Sequence, residues 1–343
     1  MKSITFRCEV VTPMFLAGAD GKTPELRPPS IKGAMRFWWR AMHGNMEAKK
    51  LREEEAKIFG GGGDNARRSA FSIRIKADMA QRAEEKPLPH HGGDENCHYL
   101  NLSNSCGGTK NWNKDKCQKG RRQPSISSGI FFIELKGEGV EQIKPLFILF
   151  CLLGGLGKRS RRGFGSVRVT GIKMSGQDNF ELFKMPEKLD EIYKIISCFN
   201  TDYRLDDEAN RIYLHKPETL NGEYSEYPYI EEIQIGAEPY SKLNSSIDEE
   251  YPGFELVEFI GRTTHQYFDK KKSNGAGQPR FASPTYVSAL KVGCAEQLQN
   301  EEECFYPIIT TLHYAPPNGI TDDSDQLKAK FKKAILQKTL SDS

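Results

Sequence analysis

Residues 154–167 read Gly-Gly-Leu-Gly-Lys-Arg-Ser-Arg-Arg-Gly-Phe-Gly-Ser-Val, a loop that mixes five glycines with four cationic side chains. Glycine lets a backbone adopt positive φ and approach a ligand closely, so that its N–H groups can face phosphate oxygens. The cations add long-range attraction, and the stretch therefore predicts contact with a polyanion. The candidate contact residues in it are Gly157, Lys158, Arg159, Ser160, Arg161, Arg162, Gly163, Phe164 and Gly165.

The motif around this loop narrows the class of polyanion. A nucleotide P-loop requires Ser or Thr after Gly-Lys, but Arg159 follows Lys158. A dinucleotide fingerprint fails because Ser160 stands where its third glycine belongs. Residues 162–169 resemble the RNP1 motif of RNA-recognition domains, except that Ser166 and Val169 replace aromatic residues. These comparisons favour RNA bound in a related geometry, and a flexible basic surface loop stays open as the alternative.

The elements on either side of the loop predict the fold of the first half. An apolar helix is expected over 141–153. The strands are expected at 3–11, 71–77, 129–137 and 166–173, and a further helix at 31–50. This order, β-α-β-β-α-β, is the ferredoxin-like or RRM-like arrangement. Residues 78–128 are polar and poor in large aliphatic side chains, so they are predicted to be a long insertion.

The second half has a compatible but weaker pattern. Helices are expected at 186–199, 254–268 and 324–339, and strands at 211–215, 229–235, 281–292 and 304–314. We therefore predict an α+β protein with two tandem ferredoxin-like domains. The first spans residues 1–176 and contains the insertion, and the second spans residues 177–343.

Charge is divided unequally between these halves. Residues 1–176 carry 31 Lys/Arg against 17 Asp/Glu, a net +14, while residues 177–343 carry 18 against 29, a net −11. The polyanion is therefore expected on the first half. The N-terminus lacks the apolar core of a signal peptide, and no run of 18 apolar residues predicts a membrane span. A cytoplasmic protein with reduced cysteines, without membrane contact, is expected.

The helix expected from Ile31 contributes a second set of candidate contacts. Its apolar positions recur at helical spacing and place Trp38 in the core. Ser30 is expected to cap the helix, whose free N–H groups would attract an anion, with Gly33 permitting close approach. The side opposite the core gathers Lys32, Arg36, Trp39, Arg40 and His43. There Trp39 can stack on a base between phosphate-binding cations, or it packs against another part of the chain.

The insertion contains the only concentration of metal-ligand types. His91, Cys97, Cys106 and Cys117 can supply four ligands to a structural zinc ion, which would stabilise a segment too polar to form a core. The cysteine spacings contain no C-x₂-C pair, so independent thiols in a loop remain the alternative. No cofactor is required by the rest of the chain.

Three stretches together resemble the RAMP superfamily of CRISPR-associated proteins, in particular those of the type III-B (Cmr) effector complex. They are residues 25–41, beginning Glu-Leu-Arg-Pro-Pro-Ser, the loop at 154–166, and Arg-Phe-Ala-Ser-Pro at 280–284. The resemblance implies two ferredoxin-like domains and a non-catalytic role in binding guide RNA, near its 3′ region, and target RNA. It also implies that other subunits of that complex are partners. The helix and loop residues named above are implied to be the RNA contacts. The cysteine-bearing insertion departs from the family pattern.

An enzymatic alternative is a metal-independent endoribonuclease that processes CRISPR RNA. Such chemistry needs a general base and acid, and His43 is the one histidine on the cationic side of the helix. It has no evident partner in the sequence. No paired carboxylates with metal-ligand spacing occur in the basic half, which disfavours a two-metal nuclease.

Overall fold

The structure is a computed structural model of the 343-residue chain. It describes residues 2–20, 23–63, 66–76, 125–126, 128–215, 227–241, 256–257, 259–260, 263, 285–293, 304–313 and 323–338. Most of the 78–128 insertion, including all four predicted zinc ligands, and most of the helix predicted at 254–268 lie outside these ranges. The protein is of the α+β class and contains two antiparallel sheets.

Four of the five strands of the first sheet come from the basic half, and the short fifth strand follows just beyond residue 176. Its strands are β1 (Lys2–Val10), β2 (Phe71–Lys76), β3 (Ile130–Gly137), β4 (Val167–Met174) and the two-residue β5 (Glu181–Leu182). They lie in the order β2-β3-β1-β4-β5, and every neighbouring pair is antiparallel. Alternate side chains of β1 and β3, such as Phe6 and Ile133, are fully buried on one face, as a period of two requires. Over residues 2–174 the observed order is β-α-α-β-β-α-β, which differs from the expected order by one additional helix, Ala48–Phe59, before β2.

The first helix differs from the sequence-based expectation at both ends. Helix α1 begins at Pro28, with Arg27 as its N-cap, so Ser30 lies within the first turn and does not cap the helix. Proline is well tolerated there because the first N–H groups have no intrahelical acceptor. The helix ends at Met42, not near Lys50. A separate helix, α2, covers Ala48–Phe59.

The second long helix is almost entirely apolar because it is buried on nearly all sides. Helix α3 (Val140–Leu153) is buried almost all round, including every residue from Leu146 to Leu153. It packs on β1, β3 and β4 of the first sheet and also on two strands of the second sheet, Thr285–Val292 and Cys304–His313. A helix enclosed between two sheets has no solvent face, so no polar stripe is needed.

The second sheet has the order β10-β11-β8-β7-β6, with β9 paired to β11. Its strands are β6 (Tyr203–Asp206), β7 (Arg211–Leu214), β8 (Tyr229–Ile235), β9 (Tyr240–Ser241), β10 (Thr285–Val292) and β11 (Cys304–His313). Helix α4 (Leu189–Ile196) precedes β6, and α5 (Asp323–Gln337) packs on β11. The place beside β8 is taken by β7, which precedes β8 in the chain. If β8 were the first strand of a β-α-β-β-α-β unit, the strand paired with it on that side would instead be the last strand of the unit in the chain.

The two halves share one hydrophobic core. A continuous cluster of buried side chains runs from Ile4 and Phe6 in β1 to Ile308 and Leu312 in β11. A smaller cluster fills the opposite face of the second sheet, where Phe331 and Ile335 of α5 contribute. The boundary predicted at residue 176 therefore divides the charge but not the core.

Among the described residues, no helix is long and apolar enough to span a bilayer. The described part of the chain also contains no group of three or more Asp, Glu, His or Cys side chains arranged to hold a metal ion.

Candidate nucleic-acid interface

The basic loop between α3 and β4 is held by its own backbone and by residues 13–15. Leu156 N–H donates to the Gly165 carbonyl at 2.8 Å, and Gly165 N–H donates to Pro13 at 2.9 Å. Lys158 N–H donates to Phe15 at 2.9 Å. The first of these bonds joins the two ends of the loop, and the other two attach the loop to residues 13–15. The sequence alternative of a flexible surface loop does not describe this arrangement.

Glycine is needed in the loop for packing. At Gly165, φ is +72°, and a Cβ would lie 1.9 Å from the carbonyl oxygen of Leu156. At Gly157, φ is +92°, and a Cβ would lie 2.4 Å from the carbonyl oxygen of Phe15. Both positions exclude any other residue on conformational and steric grounds. Gly157 alone of the two is exposed, so it is the one that also leaves room for a ligand.

The second part of the loop binds the second sheet. Gly163 N–H donates to the Val287 carbonyl at 2.7 Å, and Val287 N–H donates to the Arg161 carbonyl at 3.0 Å. The hydroxyl of Ser166 donates to the Gly163 carbonyl at 3.1 Å and accepts from Ala289 N–H at 3.0 Å. A serine at this position therefore joins the loop to β10. Both elements are fixed relative to each other by buried hydrogen bonds.

Three of the predicted loop contacts are turned away from solvent. The Phe164 side chain is 3% exposed and packs edge-on against Phe15, with ring centroids 5.1 Å apart. Gly163 and Gly165 are buried at the junctions just described. The expectation that these three residues lie at an open surface is wrong because the loop folds inward there. Lys158 is exposed, while Arg159, Ser160, Arg161 and Arg162 are partly exposed.

The cationic side of α1 faces α2 and β2. Glu55 of α2, whose side chain is 7% exposed, forms ion pairs with both Arg36 and Arg40. A second oxygen of Glu55 accepts from Arg40 Nη2 at 2.9 Å, and this hydrogen bond raises the pKa of the Arg40 guanidinium. Arg36 also donates to the Gly60 carbonyl at 2.6 Å. One buried carboxylate is thus the shared ion-pair partner of two of the cations assigned to phosphate binding, and the three groups together keep a net charge of +1.

Lys32 also makes contacts within the protein. Its Nζ lies 3.3 Å from the Phe71 carbonyl oxygen and 5.0 Å from the centroid of the Phe71 ring. Burial, followed by repulsion from Arg36, lowers the pKa of the Lys32 amine. The side chain nevertheless stays partly exposed at the edge of this cluster.

Trp39 and His43 are buried beneath α2. Trp39 is 4% exposed, and its ring centroid lies 4.2 Å from that of His43, which is itself 8% exposed, with the two rings tilted by 33°. The sequence expectation of an indole open to a base is wrong, and the packing alternative describes Trp39. His43 Nδ1 donates to the Trp39 carbonyl at 2.7 Å, and burial lowers the pKa of its imidazole. Trp38 is 3% exposed, as expected for a core residue.

The helix N-terminus offers few free donors. Pro28 and Pro29 have no N–H, and the N–H groups of Ser30 and Ile31 both donate to the Arg27 carbonyl, at 3.0 and 3.2 Å. The anion site expected from free helical N–H groups is therefore absent in this described part of the chain. The side chain of Ser30 and the Cα of Gly33 remain exposed.

The basic loop meets a different side of α1, which the sequence did not single out. The Arg161 guanidinium lies 4.8 Å from the Tyr286 ring centroid, and Tyr286 lies 5.6 Å from Phe37 and 5.1 Å from Trp38. Phe37 is half-buried. It shares a helical side with Ser30 and Gly33, at spacings of seven and four residues. Through Tyr286 the loop thus lies next to Phe37 and Trp38 of α1, whereas Lys32, Arg36 and Arg40 contact β2 and α2.

Helical spacing alone would have placed Phe37 beside Ser30 and Gly33. Tyr286 had no sequence signal, because its distance from Arg161 depends on how the second sheet packs against α3.

Comparison with known proteins finds sequence similarity to the RAMP superfamily and to two Cmr subunits. Residues 7–168 match the model of the RAMP superfamily. The chain is 43% identical over 89 residues to the CRISPR system Cmr subunit Cmr1-2 of Pyrococcus furiosus, which covers 24% of this chain and 41% of that protein. It is 31% identical over 151 residues to Cmr1-1 of the same organism, covering 43% and 41%. These matches span about two fifths of the length of each curated relative.

The fold is also found among solved structures. The crystal structure of apo Cmr1 from Pyrococcus furiosus superposes with a TM-score of 0.51 over 97% of both chains, at 17% sequence identity. This similarity concerns the fold. The residues that match the RAMP superfamily model, 7–168, make up just under half of the chain.

Proposed function

We propose that this protein is a non-catalytic RNA-binding subunit of a type III-B CRISPR effector complex, acting in antiviral defence in the cytoplasm. Its ligands would be guide RNA, towards the 3′ region, target RNA, or both, and its protein partners would be other subunits of that complex. The names of the two Pyrococcus furiosus relatives, both Cmr subunits of a CRISPR system, support the assignment. The net charge of +14 on residues 1–176 supports an RNA ligand.

The observation that carries the proposal is the fixed conformation of the basic loop. Lys158, Arg159, Arg161 and Arg162 extend from a backbone held on one side by residues 13–15 and on the other by Val287. A loop that is already ordered loses little conformational entropy when RNA binds. Cations held at set positions can neutralise successive phosphates, which is the main source of affinity for single strands.

The proposed contact surface combines this loop with one side of α1. Phe37 is half-buried next to Tyr286 and offers a ring for base stacking, while Gly33 and Ser30 extend the same side of the helix. Lys32 lies at the margin of the surface. Arg36, Trp39, Arg40 and His43 would stabilise α1 against α2 and would not contact RNA directly.

The fold supports this assignment in outline. In the first sheet the order β2-β3-β1-β4, with helices after β1 and β3, is the order of a ferredoxin-like domain. We infer a second, rearranged ferredoxin-like unit around β8, β10 and β11, with β7 replacing its last strand. The zinc site of the insertion remains a proposal for His91, Cys97, Cys106 and Cys117.

The experiment measures binding of a fluorescein-labelled 15-nucleotide oligouridylate to the full-length protein by anisotropy at several salt concentrations. Lys158→Gln and Arg161→Gln are each compared with Lys330→Gln, which removes an exposed cation from α5. Each loop variant should weaken binding and reduce the slope of log K against log salt by about 0.7, the value for one phosphate contact to a single strand. Arg161→Lys should restore most of the slope. Equal affinity and slope in all four variants would falsify the loop as the RNA contact.

The same samples test the endoribonuclease alternative. His43 is buried and its Nδ1 is bound to the Trp39 carbonyl, so it is poorly placed as a general base. We expect the oligonucleotide to stay intact in EDTA over hours. Cleavage that disappears in His43→Ala would favour the enzyme instead.

A further inference from the structure

The two faces of the first sheet have different surroundings. Helices α1 and α3 cover the face that carries Phe6 and Ile133. The opposite face, called the outer face here, carries the alternate residues of the same strands. Among the described residues, no helix packs on it. In the second sheet, by contrast, buried clusters fill both faces. An uncovered sheet face with side chains of defined register can serve as a binding platform.

Charge on the outer face is strongly positive. Its cations are Arg7, Arg74, Lys76, Lys136, Arg168 and Lys173. Its anions are Glu9 and Glu134, so the face carries six positive and two negative charges, a net +4. Glu134 pairs with Lys76 at 2.8 Å, and Glu9 pairs with Arg168 at 3.3 Å and with Lys291 of β10 at 2.7 Å. Arg7, Arg74 and Lys136 have no ion-pair partner in the described part of the chain.

Aromatic side chains lie between these cations. The strand register places Phe132 of β3 between Lys76 of β2 and Arg7 of β1. Phe180 lies over Gly171, the partner of Arg7 on β4, and its ring centroid is 5.4 Å from that of Phe132. Phe180 is 37% exposed, and Lys173 Nζ lies 6.0 Å from its ring centroid. One row across the sheet thus alternates cationic and aromatic side chains.

We propose that the outer face of the first sheet binds single-stranded nucleic acid, with bases stacked on Phe132 and Phe180 and phosphates contacted by Arg7 and Arg74. Rings stack on any base, and unpaired cations beside them follow the backbone, so this combination binds single strands with little sequence preference. The surface is separate from the basic loop and from α1, because α1 packs on the other side of the sheet. The protein would therefore contact a strand at two places.

A protein partner is the less favoured occupant. Among the described residues, the exposed large apolar side chains on or beside this face are Ile130 at 42%, Phe180 at 37% and, on the edge strand β5, Leu182 at 92% exposure, while most of the remaining face is charged. The core of a protein interface is depleted of charged residues, so this composition matches a nucleic acid better.

Binding by the full-length chain is measured by anisotropy with labelled 15-nucleotide oligouridylate and, in a second series, oligodeoxyuridylate, which differs from it only in lacking the 2′-hydroxyl. Phe132→Ala should weaken binding about tenfold, and Phe132→Tyr, which keeps a ring, should stay near wild type. Ile130→Ala removes apolar area from the same strand and face without removing a ring, and it should have little effect. Arg7→Gln should reduce the salt slope by about 0.7. Circular dichroism and thermal unfolding check that each variant is folded.

The position of the bound strand on the protein is determined by photo-crosslinking of an oligonucleotide that contains 4-thiouridine. Crosslinks to peptides containing Phe132 or Phe180 are expected, in addition to crosslinks within residues 154–167. Unchanged affinity and slope in both Phe132→Ala and Arg7→Gln, with crosslinks confined to the loop, would overturn this proposal and leave the outer face to an acidic protein partner. That result would not affect the loop assignment, which depends on the Lys158 and Arg161 variants. Equal binding of both oligonucleotides would show that the 2′-hydroxyl is not recognised.

Discussion

The N–H of Gly163, in the basic loop of the first half, donates a 2.7 Å hydrogen bond to the carbonyl oxygen of Val287 in β10. The two residues are far apart in the sequence and belong to halves of opposite net charge. Their contact makes the conformation of the loop depend on the second sheet. The acidic half therefore has a structural part in any function of the basic loop, whether or not it touches RNA.

Replacing Gly165 with Ala should destabilise the protein by about 3 kcal/mol. The residue has positive φ, and the new Cβ would lie 1.9 Å from a backbone oxygen that cannot move without opening the loop. Gly176→Ala is the matched control, since φ there is +92° and no atom lies within 4 Å of the added Cβ. The control should lose only about 1 kcal/mol. Urea unfolding measures both changes, and equal losses would contradict the packing explanation.

Replacing Gly33 with Ala should stabilise the fold and weaken RNA binding. Gly33 lies inside α1 with nothing within 4 Å of an added Cβ, so the substitution should increase the free energy of unfolding by about 0.8 kcal/mol. If RNA passes over this side of α1, the methyl group occupies part of its path. Anisotropy should then show severalfold weaker binding in a more stable protein. Unchanged affinity would remove Gly33 from the contact surface.

Replacing Glu55 with Gln should destabilise the protein by about 2 kcal/mol. The substitution leaves Arg36 and Arg40 facing a neutral amide, and their one-third exposure reduces the penalty relative to fully buried charges. Glu54→Gln, on the same helix, removes a partly exposed partner of Lys57 and should change stability by less than about 0.5 kcal/mol. Similar effects of the two substitutions in urea unfolding would argue against Glu55 as the common partner of both arginines.

His43 should make stability depend on pH below neutrality. Burial lowers the pKa of His43 in the folded state from its ordinary 6.5, so the unfolded chain binds a proton more readily. Its contribution is complete above about pH 6.5 and is lost as the pH falls below that value towards the lowered folded pKa. The free energy of unfolding of wild type should therefore fall more steeply from pH 7 to 5 than that of His43→Gln. Parallel curves would show that His43 titrates normally in the fold.

Much of the fold could be predicted because the spacing of apolar residues along the sequence indicates which positions of a strand or helix are buried. Alternation in β1 and β3 and the apolar run of α3 correspond closely to the observed strands and helix. The end of α1 was missed because it depends on Tyr229. An added Cβ at Gly44 would lie 2.2 Å from Cγ of that ring, so the chain turns against β8. Only a contact distant in sequence gives this glycine its role.

The candidate site was predicted less well than the fold. The sequence alone determined the order of the four main strands in the first half, the division of charge and the stretches that match the RAMP superfamily model, since each is carried by neighbouring residues. Tertiary structure alone decided which cations face solvent. Arg36 and Arg40 have the same helical spacing whether they meet phosphates or the buried carboxylate of Glu55. It also brought Tyr286 to Arg161, because that contact exists only when β10 packs against α3 and the basic loop.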